Sequence, residues 1–467
     1  MEIFRATKLG QVPRSHLSAL FLLKFVSDTR YDIETTERDE KWLPAWRHLQ
    51  VPEGYRWDYL VSNAGNPRLA SLLDNALRDI LESNPRTLEE INQNIQFHNL
   101  VSQEGVSVEV LSRAVQIVSQ ADLRPSSFEE PEELGDLFER LLFFAEHRGM
   151  SGEFLVPPEL GSLMAASLGP RAGDTILDPL CGSGGLLSRL ARHVGPKVGQ
   201  VLGQAQNSAD LSLCKISLFF RGVLHSEIEL ADPLKQPLRD TNGRILEADV
   251  VVSNPPFNLR LGSKVLQELR PELFLPGVTS RSPSESLFLS HMIQAARPGK
   301  GRIGMIVSNG ALSRANGKEI RRYIVNRNLL SGVISLPAKL FQITPVPVSI
   351  LILDKGKKSS DVVFIDASLS FTASGRQNVI PETEILRISN AFLSRDSEPG
   401  FSSRADLSLI HDQDYRLTVS LYVERNKQRE TTQNAAELTQ QISGLERELE
   451  SVQGELDADL RKLGFMA

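Results

Sequence analysis

Between residues 175 and 365, short runs rich in Val, Ile and Leu alternate with longer segments of helical character. Such alternation favours an α/β fold in which helices cover both faces of a parallel, doubly wound sheet. The predicted strands are residues 175–178, 197–203, 227–230, 250–253, 302–307, 332–336, 349–354 and 362–365. The predicted intervening helices are residues 186–193, 210–221, 285–296 and 318–326. Because ligands of open α/β sheets bind outside the carboxyl ends of the strands, the residues after each strand are the first candidates for a site.

Sequence on either side of this central part differs from it, and three domains are predicted. A chain of 467 residues exceeds what one hydrophobic core usually supports. Residues 1–150 are expected to form a helical domain, because apolar residues recur there at helical spacing. The helices predicted in that domain are residues 16–28, 67–82, 108–121 and 131–146. Residues 151–395 are the predicted sheet domain, and residues 396–467 the C-terminal tail.

The tail is expected to contain a helix at about residues 431–464. Apolar residues recur there at alternating spacings of four and three, which is typical of a coiled-coil seam. These residues are Leu438, Ile442, Leu445, Leu449, Val452 and Leu456. Gly444 and Gly454 weaken the helix in isolation, so it is expected to pack either on the chain's own body or on a partner's coiled coil.

Composition excludes several classes of protein. Two cysteines, Cys181 and Cys214, are too few for a disulfide framework or an unaided zinc site, so no metal is expected. The longest apolar runs are too short to span a bilayer and no secretion leader opens the chain, so no membrane contact and a cytoplasmic location are expected. The formal net charge of −6 lacks the basic excess of a protein that grips DNA alone. If DNA is bound, another chain is expected to supply much of the phosphate contact.

Three tryptophans, Trp42, Trp46 and Trp57, lie in a polar segment between the first two predicted helices. Large aromatic rings in such a position usually anchor the packing of a helical domain, which is the role expected here. Stacking on nucleic-acid bases is the alternative interpretation.

The first predicted strand ends in a turn of small residues, from Asp178 to Gly185. Gly182, Ser183, Gly184 and Gly185 let a ligand approach the backbone closely, and the amide groups of the next helix point into the same space. The phosphate-binding G-x-G-x-x-G pattern is absent, because the sixth position from Gly182 is Leu187. A carboxylate at Asp178 suits a ligand that carries an ammonium group, as S-adenosylmethionine does. An ordinary strand–helix turn is the alternative.

Polar residues after the next two strands complete a predicted cofactor site. The strand after the glycine turn usually supplies an acid for ribose hydroxyls, but Gln204 and Gln206 stand there without a carboxylate. A glutamine can hydrogen-bond a hydroxyl, although less strongly than a charged group, so weak cofactor binding is one possible outcome. Asp232, followed by Pro233, is placed to accept from the adenine amino group of the cofactor. Its alternative role is that of a turn or cap aspartate.

The fourth predicted strand runs into Asn254-Pro255-Pro256-Phe257. An aromatic amine is a poor nucleophile, because its lone pair is delocalised into the ring. The Asn254 side-chain oxygen and the Pro255 carbonyl can accept its hydrogens, the two prolines stiffen the turn, and Phe257 offers a ring for stacking. The pattern predicts methyl transfer to the amino group of a base swung out of a duplex, with in-line positioning as the main contribution. A buried structural turn is the alternative.

These motifs resemble those of the modification (methyltransferase) subunits of type I restriction–modification systems, within the adenine amino-methyltransferases. Residues 178–185 are similar to that family's DPACGSGG, with Leu180 in place of alanine, and residues 254–257 match its NPPF. Further similarities lie in residues 152–157 (GEFYTP), 301–310 (GR…PNG, with Ser308 for proline), 336–353 (LP…LF…T…IL) and 20–28 (FLKYLSD). The likeness spans nearly the whole chain.

The resemblance implies further residues and partners. It adds Glu153, Phe154 and Val156, in the segment that closes over the cofactor, and Leu180 to the cofactor site. It implies a prokaryotic DNA methyltransferase that works with a separate specificity subunit, bridged to two methyltransferase subunits, and in some systems with a restriction or translocase subunit. The predicted heptad helix is then a natural contact with the specificity subunit.

Two departures from the family bear on the cofactor. Ala205 stands where the family's Gln-Glu-x-Asn carries the ribose-binding acid, and residues 154–157 lack the threonine of FYTP. Three hypotheses follow: an adenine-specific DNA methyltransferase, a methyltransferase of RNA or of a protein amide, and a cofactor-impaired scaffold in a defence complex. The helical domain and the full set of later motifs favour the first.

Overall fold

The computed structural model describes residues 12–35, 46–88, 91, 95–128, 132–145, 156–223, 226–257, 268–279, 282–341, 346–374 and 377–424. Trp42, residues 153 and 154, and the predicted heptad helix at 431–464 lie outside these ranges. Within them, no helix is long and apolar enough to cross a membrane.

The N-terminal part of the described chain is helical, as predicted. Its helices are α1 (Arg14–Thr35), α2 (Trp57–Ser62), α3 (Leu69–Ser83), α4 (Pro85–Leu88), α5 (Phe97–Ser102), α6 (Val108–Val118) and α7 (Glu132–Ala145). α1 is buried on nearly all sides over its apolar run, and α2, α3, α6 and α7 contact it. A helix that is apolar all round belongs in the centre of a helical domain.

Two of the three tryptophans anchor this domain. The Trp46 side chain is 1% exposed, and its ring meets that of Phe25 edge-on at a centroid distance of 5.0 Å. Trp57 is also buried, and its indole nitrogen donates to the Ser119 hydroxyl at 3.0 Å. The anchoring role predicted for Trp46 and Trp57 is therefore confirmed.

A nine-stranded sheet forms the second part of the chain. Its strands are β1 (Ile176–Asp178), β2 (Val201–Ala205), β3 (Ser226–Leu230), β4 (Val250–Ser253), β5 (Arg302–Ser308), β6 (Leu330–Ser335), β7 (Val348–Asp354), β8 (Asp361–Asp366) and β11 (Ser402–Asp406). Between the last two, β9 (Thr372–Ser374) and β10 (Gln377–Val379) form a separate antiparallel hairpin. The order across the large sheet is β11-β8-β6-β7-β5-β4-β1-β2-β3.

Helices cover both faces of this sheet, so the predicted double winding is confirmed. On one face lie α8 (Pro158–Leu168), α9 (Gly185–Val194), α10 (Ser208–Phe219) and α13 (Glu382–Ser394). On the other lie α11 (Ser284–Ala295), α12 (Lys318–Asn326) and α14 (Leu407–Asp412). Strands such as β1 and β4 are buried on both sides, which explains their continuous apolar sequence.

The sheet is mixed rather than wholly parallel, which corrects the expectation from the sequence. β7 pairs antiparallel with both β5 and β6, and β11 pairs antiparallel with β8. Strand direction depends on how the chain returns to the sheet, and the apolar run of a buried strand carries no information about it.

Two boundaries also differ from those predicted. β2 starts at Val201 rather than near residue 197, because residues 195–197 form a 3-10 turn around Pro196. The sheet continues beyond residue 395, since β11 pairs with β8 and residues such as Leu417 and Val423 are buried against the sheet. We therefore propose that the sheet domain extends to at least residue 424.

An aromatic cluster joins the two parts of the chain. Phe219 and Phe220, at the end of α10, pack among Phe21, Phe25 and Phe138 of the helical domain. The Phe138–Phe220 centroid distance is 4.8 Å, and all five side chains are at most 2% exposed. The core of the helical domain thus includes one face of a helix that follows β2.

Candidate functional site

The two predicted turns lie side by side in the fold. β1 and β4 are neighbouring parallel strands, with Ile176 opposite Val250 and Leu177 opposite Val251. Both turns follow the carboxyl ends of these strands, which are separated by about 4.8 Å, the ordinary spacing between paired strands. Strand order also reverses here, because β2 and β3 lie on one side of β1 while β4 and β5 lie on the other. A reversal of this kind leaves the crevice in which α/β proteins bind ligands.

Backbone hydrogen bonds shape the turn after β1. The Leu180 N–H donates to Asp178 Oδ1 at 2.9 Å, the Cys181 N–H to the Gln204 carbonyl at 2.9 Å, and the Gly184 N–H to the Cys181 carbonyl at 2.8 Å. The turn is thereby tied to the end of β2. The half-buried Leu180 side chain and Ser183 lie within the same turn.

Two glycines of this turn have left-handed backbone. Gly182 has φ +49° with open space where a Cβ would stand, and Gly184 has φ +82°. A Cβ on Gly184 would come within 2.8 Å of the Cys214 sulfur, so this position excludes any side chain. Gly184 also caps α9 without a side-chain hydrogen bond, and Gly185 begins the helix. The first amides of α9 therefore face the turn with no capping side chain from Gly184.

Asp178 is a buried acid within the crevice. Its side chain is 2% exposed, and burial raises its pKa to about 7, although the Leu180 amide and the neighbouring Ser253 hydroxyl oppose the rise. Near neutral pH the carboxyl group is therefore divided between its charged and neutral forms. An ammonium group arriving beside it would stabilise the charged form.

Of the two cysteines, Cys181 lies within this turn and Cys214, on α10, packs against it. Cys181 and Cys214 are both buried and reduced. Hydrogen bonding to the Cys214 thiol, together with burial, raises the pKa of the Cys181 thiol well above its ordinary value. The pair therefore acts as small apolar filling beneath the glycine turn.

The end of β2 presents one buried polar acceptor. Gln204 is fully buried, and its amide nitrogen donates to the Gln236 carbonyl at 2.7 Å, whereas its Oε1 has no hydrogen-bond partner among the described residues. Leaving a buried acceptor unpaired is unfavourable, unless a ligand supplies the donor. Ala205 is fully buried in the apolar cluster that contains Cys181, and Gln206 is exposed.

Asp232 follows β3 and holds a turn. Its Oδ1 accepts from the Leu234 N–H at 3.1 Å, and its Oδ2 lies 4.0 Å from the Lys235 ammonium group. The next residue, Pro233, is buried. The alternative role predicted for Asp232, that of a turn aspartate, is present. Its proposed contact with the cofactor adenine stays a prediction.

The Asn254–Phe257 turn is supported from the next helix. The Ser284 hydroxyl, at the start of α11, donates to the Pro256 carbonyl at 3.2 Å. The Phe257 ring meets the Phe341 ring edge-on, with centroids 6.1 Å apart and planes at 81°. Asn254 is half-buried and Pro255 buried. Ser284 belongs to none of the sequence motifs, and its only sequence signal is its place just before a predicted helix.

A buried acid braces the neighbouring strand end. Glu285 is 4% exposed, and its Oε1 accepts from the Ser308 N–H at 3.1 Å and from the Ser308 hydroxyl at 2.7 Å. Ser308 ends β5, where the family motif has proline. A proline could not donate the first of these hydrogen bonds, so the serine adds a constraint beside the Asn254 turn.

Val156 belongs to the segment 152–157 that is predicted to close over the cofactor, and it lies beside the cofactor turn. Its Cβ and carbonyl oxygen are each 3.9 Å from where a Cβ would stand on Gly185. The structure thus brings Val156, the Asp178 turn, Gln204 and the Asn254 turn to one edge of the sheet. Small residues, an amide-lined helix start, a buried acid and an unpaired acceptor fit an S-adenosylmethionine site.

Comparisons with known proteins agree with this geometry. Residues 129–431 match the N-6 DNA methylase family. The chain is 29% identical, over 370 residues, to the methylase subunit of the type I restriction enzyme MjaVIII of Methanocaldococcus jannaschii. The aligned region covers 75% of this chain and 63% of the MjaVIII subunit. The chain is 26% identical to the HindI methylase subunit of Haemophilus influenzae, over 84% of this chain and 91% of that one. The chain therefore spans less than two-thirds of the archaeal relative.

A solved structure shows the same fold. The methyltransferase subunit of a type I restriction–modification system from Streptococcus thermophilus aligns with a TM-score of 0.73 at 22% identity. The alignment covers 91% of this chain and 97% of that one. The helical domain followed by the sheet domain is therefore a shared architecture.

Proposed function

The chain belongs to the N-6 DNA methylase family, and on that premise we propose that it transfers a methyl group from S-adenosylmethionine to the exocyclic amino group of adenine in duplex DNA. The observation that carries this proposal is the adjacency of the glycine turn after β1 and the Asn254 turn after β4. Methyl donor and acceptor must meet in line, and neighbouring strand ends at the point of strand reversal can bring them together.

Each part of the site has a chemical task in this proposal. Asp178 would hold the cofactor's ammonium group, and the open backbone at Gly182 would admit its methionine part. The bound cofactor supplies an activated methyl group on a sulfonium. Asn254 Oδ1 and the Pro255 carbonyl would accept the hydrogens of the adenine amine and orient its lone pair. The transfer would form a nitrogen–carbon bond as the sulfur–methyl bond breaks, leaving a neutral thioether as the leaving group, and the proton that the amine loses would pass to solvent.

The aromatic pair and its supports would fix the target base. Phe257 would stack on the extruded adenine, while Phe341 holds the Phe257 ring from its edge. Ser284 holds the Pro256 carbonyl and so limits rotation of the whole turn. Positioning by such fixed groups, rather than a strong base, would provide most of the acceleration.

Sequence recognition and assembly are proposed to depend on other chains. The relatives named above are methylase subunits of type I restriction enzymes. We infer a complex with DNA and a specificity subunit, with two methyltransferase subunits for each specificity subunit, and in some settings a restriction subunit. The net charge of −6 agrees with phosphate contacts supplied largely from elsewhere. A cytoplasmic location, where such a complex would meet DNA, stays a prediction.

Labelled cofactor tests the proposed substrate. With radiolabelled S-adenosylmethionine, label is expected on duplex DNA only when the chain and its specificity subunit are both present. Ribosomal RNA offered in the same reaction is the control, and label on the RNA instead of DNA would favour an RNA methyltransferase.

Calorimetric titration with S-adenosylmethionine tests the third hypothesis, that of a cofactor-impaired scaffold. If the chain bound no measurable S-adenosylmethionine, an inactive scaffold would be favoured. That hypothesis rests on Ala205, which stands where the family has the ribose-binding acid.

A further inference from the structure

A partly buried cluster of charges joins the helical domain to the helix that begins at the cofactor turn. Asp136 and Glu139, one turn apart on α7, face Arg189 and Arg192 of α9 and Arg221, which follows α10. The Arg221 side chain is fully buried, and those of Arg189 and Glu139 are only 11% and 10% exposed. Ion pairs so far from solvent are held in fixed geometry by their mutual hydrogen bonds.

Glu139 makes the most direct connection to the cofactor turn. Its Oε2 accepts from Arg221 Nη2 at 2.9 Å and from Arg189 Nε at 3.0 Å, and its Oε1 accepts from the Ser188 hydroxyl at 3.3 Å. The same Ser188 hydroxyl lies 3.0 Å from the Gly185 carbonyl. Glu139 Oε1 is also 3.9 Å from where a Cβ would stand on Gly185. One carboxylate of the helical domain thus lies against the first turn of α9 at Gly185 and bonds it at Ser188.

Two glycines allow the arginines of this cluster to pack closely against α7 and α8. A Cβ on Gly135 of α7 would come within 2.7 Å of the Arg221 side chain, and one on Gly161 of α8 within 2.8 Å of the Arg189 side chain. A neighbouring face of α7 is held as well, since Phe138 is fully buried against Phe21 and Phe220. α7 therefore cannot shift without moving either the aromatic core or the start of α9.

We propose that Glu139 is a positioning residue for the cofactor site, through which the placement of the helical domain sets the geometry of the first turn of α9. The proposal rests on the methyltransferase function given above. Gly184 provides no side-chain cap for α9, so the orientation of the amides that face the cofactor depends on neighbouring groups such as this carboxylate. Any shift of these amides lowers cofactor affinity without altering a residue that touches the cofactor.

Calorimetric titration of the full chain with S-adenosylmethionine, without DNA, tests this role. Glu139→Gln is expected to weaken cofactor binding roughly tenfold, a usual size for coupling between two sites. Ser188→Ala, which removes one hydroxyl and no charge, is expected to weaken binding to a smaller but measurable extent. In assembled complexes Glu139→Gln should raise the KM for the cofactor and leave kcat at saturating cofactor unchanged.

Asp249→Asn is the matched control. Asp249 is also a buried carboxylate with two cationic partners, Arg297 and Lys300, but it lies at the amino end of β4, whereas the proposed site lies at the carboxyl end. It should lower thermal stability as Glu139→Gln does, yet leave cofactor affinity unchanged. Equal loss of affinity in both variants, or wild-type affinity in Glu139→Gln, would overturn the proposal. If Glu139→Gln did not fold, wild-type affinity of Ser188→Ala for S-adenosylmethionine would overturn the proposal instead.

The cofactor measurement separates this proposal from the proposed function. Cofactor binding without methylation of DNA would remove the DNA methyltransferase assignment and leave the role of Glu139 standing. A wild-type chain that binds no cofactor would overturn both.

Discussion

Substitution of Asn254 by alanine is expected to lower the rate of methyl transfer by roughly 10²–10³-fold, the usual effect of removing one fixed polar group from a transition-state site. The variant loses the side-chain oxygen that would accept an amine hydrogen and orient the lone pair towards the methyl group. Pro255, Pro256 and the Ser284 hydrogen bond keep the turn in place, so the loss should appear in the chemical step. Single-turnover transfer of labelled methyl to duplex DNA by the assembled complex measures it.

Cofactor affinity distinguishes this loss from a general disturbance. Asn254→Ala should bind S-adenosylmethionine with wild-type affinity, because the proposed cofactor contacts come from the turn after β1. Asn63→Ala is a suitable control, since Asn63 is equally half-buried but lies in the helical domain, where its amide bonds the Tyr59 carbonyl. A wild-type single-turnover rate in Asn254→Ala would exclude the amine clamp.

Much of this architecture could be predicted from short-range patterns. β1, β4 and β5 are buried on both faces, so their sequences are continuous apolar runs that end at polar or glycine-rich turns. The same patterns located the turns at Asp178 and Asn254, and only pairing of β1 with β4 was needed to bring them together. Local sequence was therefore sufficient to predict these strands and the turns that follow them.

Other features depend on contacts between distant parts of the chain. β11 (Ser402–Asp406) lies at the edge of the sheet, and four of its five residues are polar, so no apolar run marks it. The antiparallel direction of β7 follows from the path of the chain. Glu139 resembles any charged residue on an amphipathic helix until Arg189 and Arg221 are placed against it. Pairings of this kind join residues about 50 and 82 positions apart.

The buried acid at Asp178 is one place where stability and function make opposite demands. Because burial raises its pKa from 3.8 to about 7, the native state binds more protons than the unfolded state between these values. Stability therefore falls as pH rises through this window, and the full cost of the buried charge is present above pH 7. A difference of this size corresponds to an upper bound of about 4 kcal/mol. A neutral residue of the same shape avoids this cost.

Asp178→Asn is accordingly expected to raise the free energy of unfolding by about 2–4 kcal/mol at pH 8, and to have little effect near pH 4, where the aspartic acid is itself neutral. The asparagine oxygen can still accept from the Leu180 N–H. Denaturant unfolding at the two pH values measures the difference. Asp249→Asn is expected to lower the free energy of unfolding at pH 8. Burial raises the pKa of Asp249, but Lys300, the Thr175 amide and Arg297 together outweigh burial and lower that pKa. The charge on Asp249 therefore stabilises the folded chain.

The same Asp178→Asn variant is expected to bind S-adenosylmethionine about 10–100-fold more weakly, because it loses a charged hydrogen bond to the ammonium group. In the wild-type chain affinity should increase from pH 6 to pH 8, as Asp178 ionises, and this increase should be absent in the variant. Calorimetry across that range measures both effects. If the variant were more stable and bound the cofactor equally well, Asp178 would be a buried structural acid and the ammonium group would need another partner. Greater stability together with weaker binding would mean that the chain retains an unfavourable charge because the cofactor requires it.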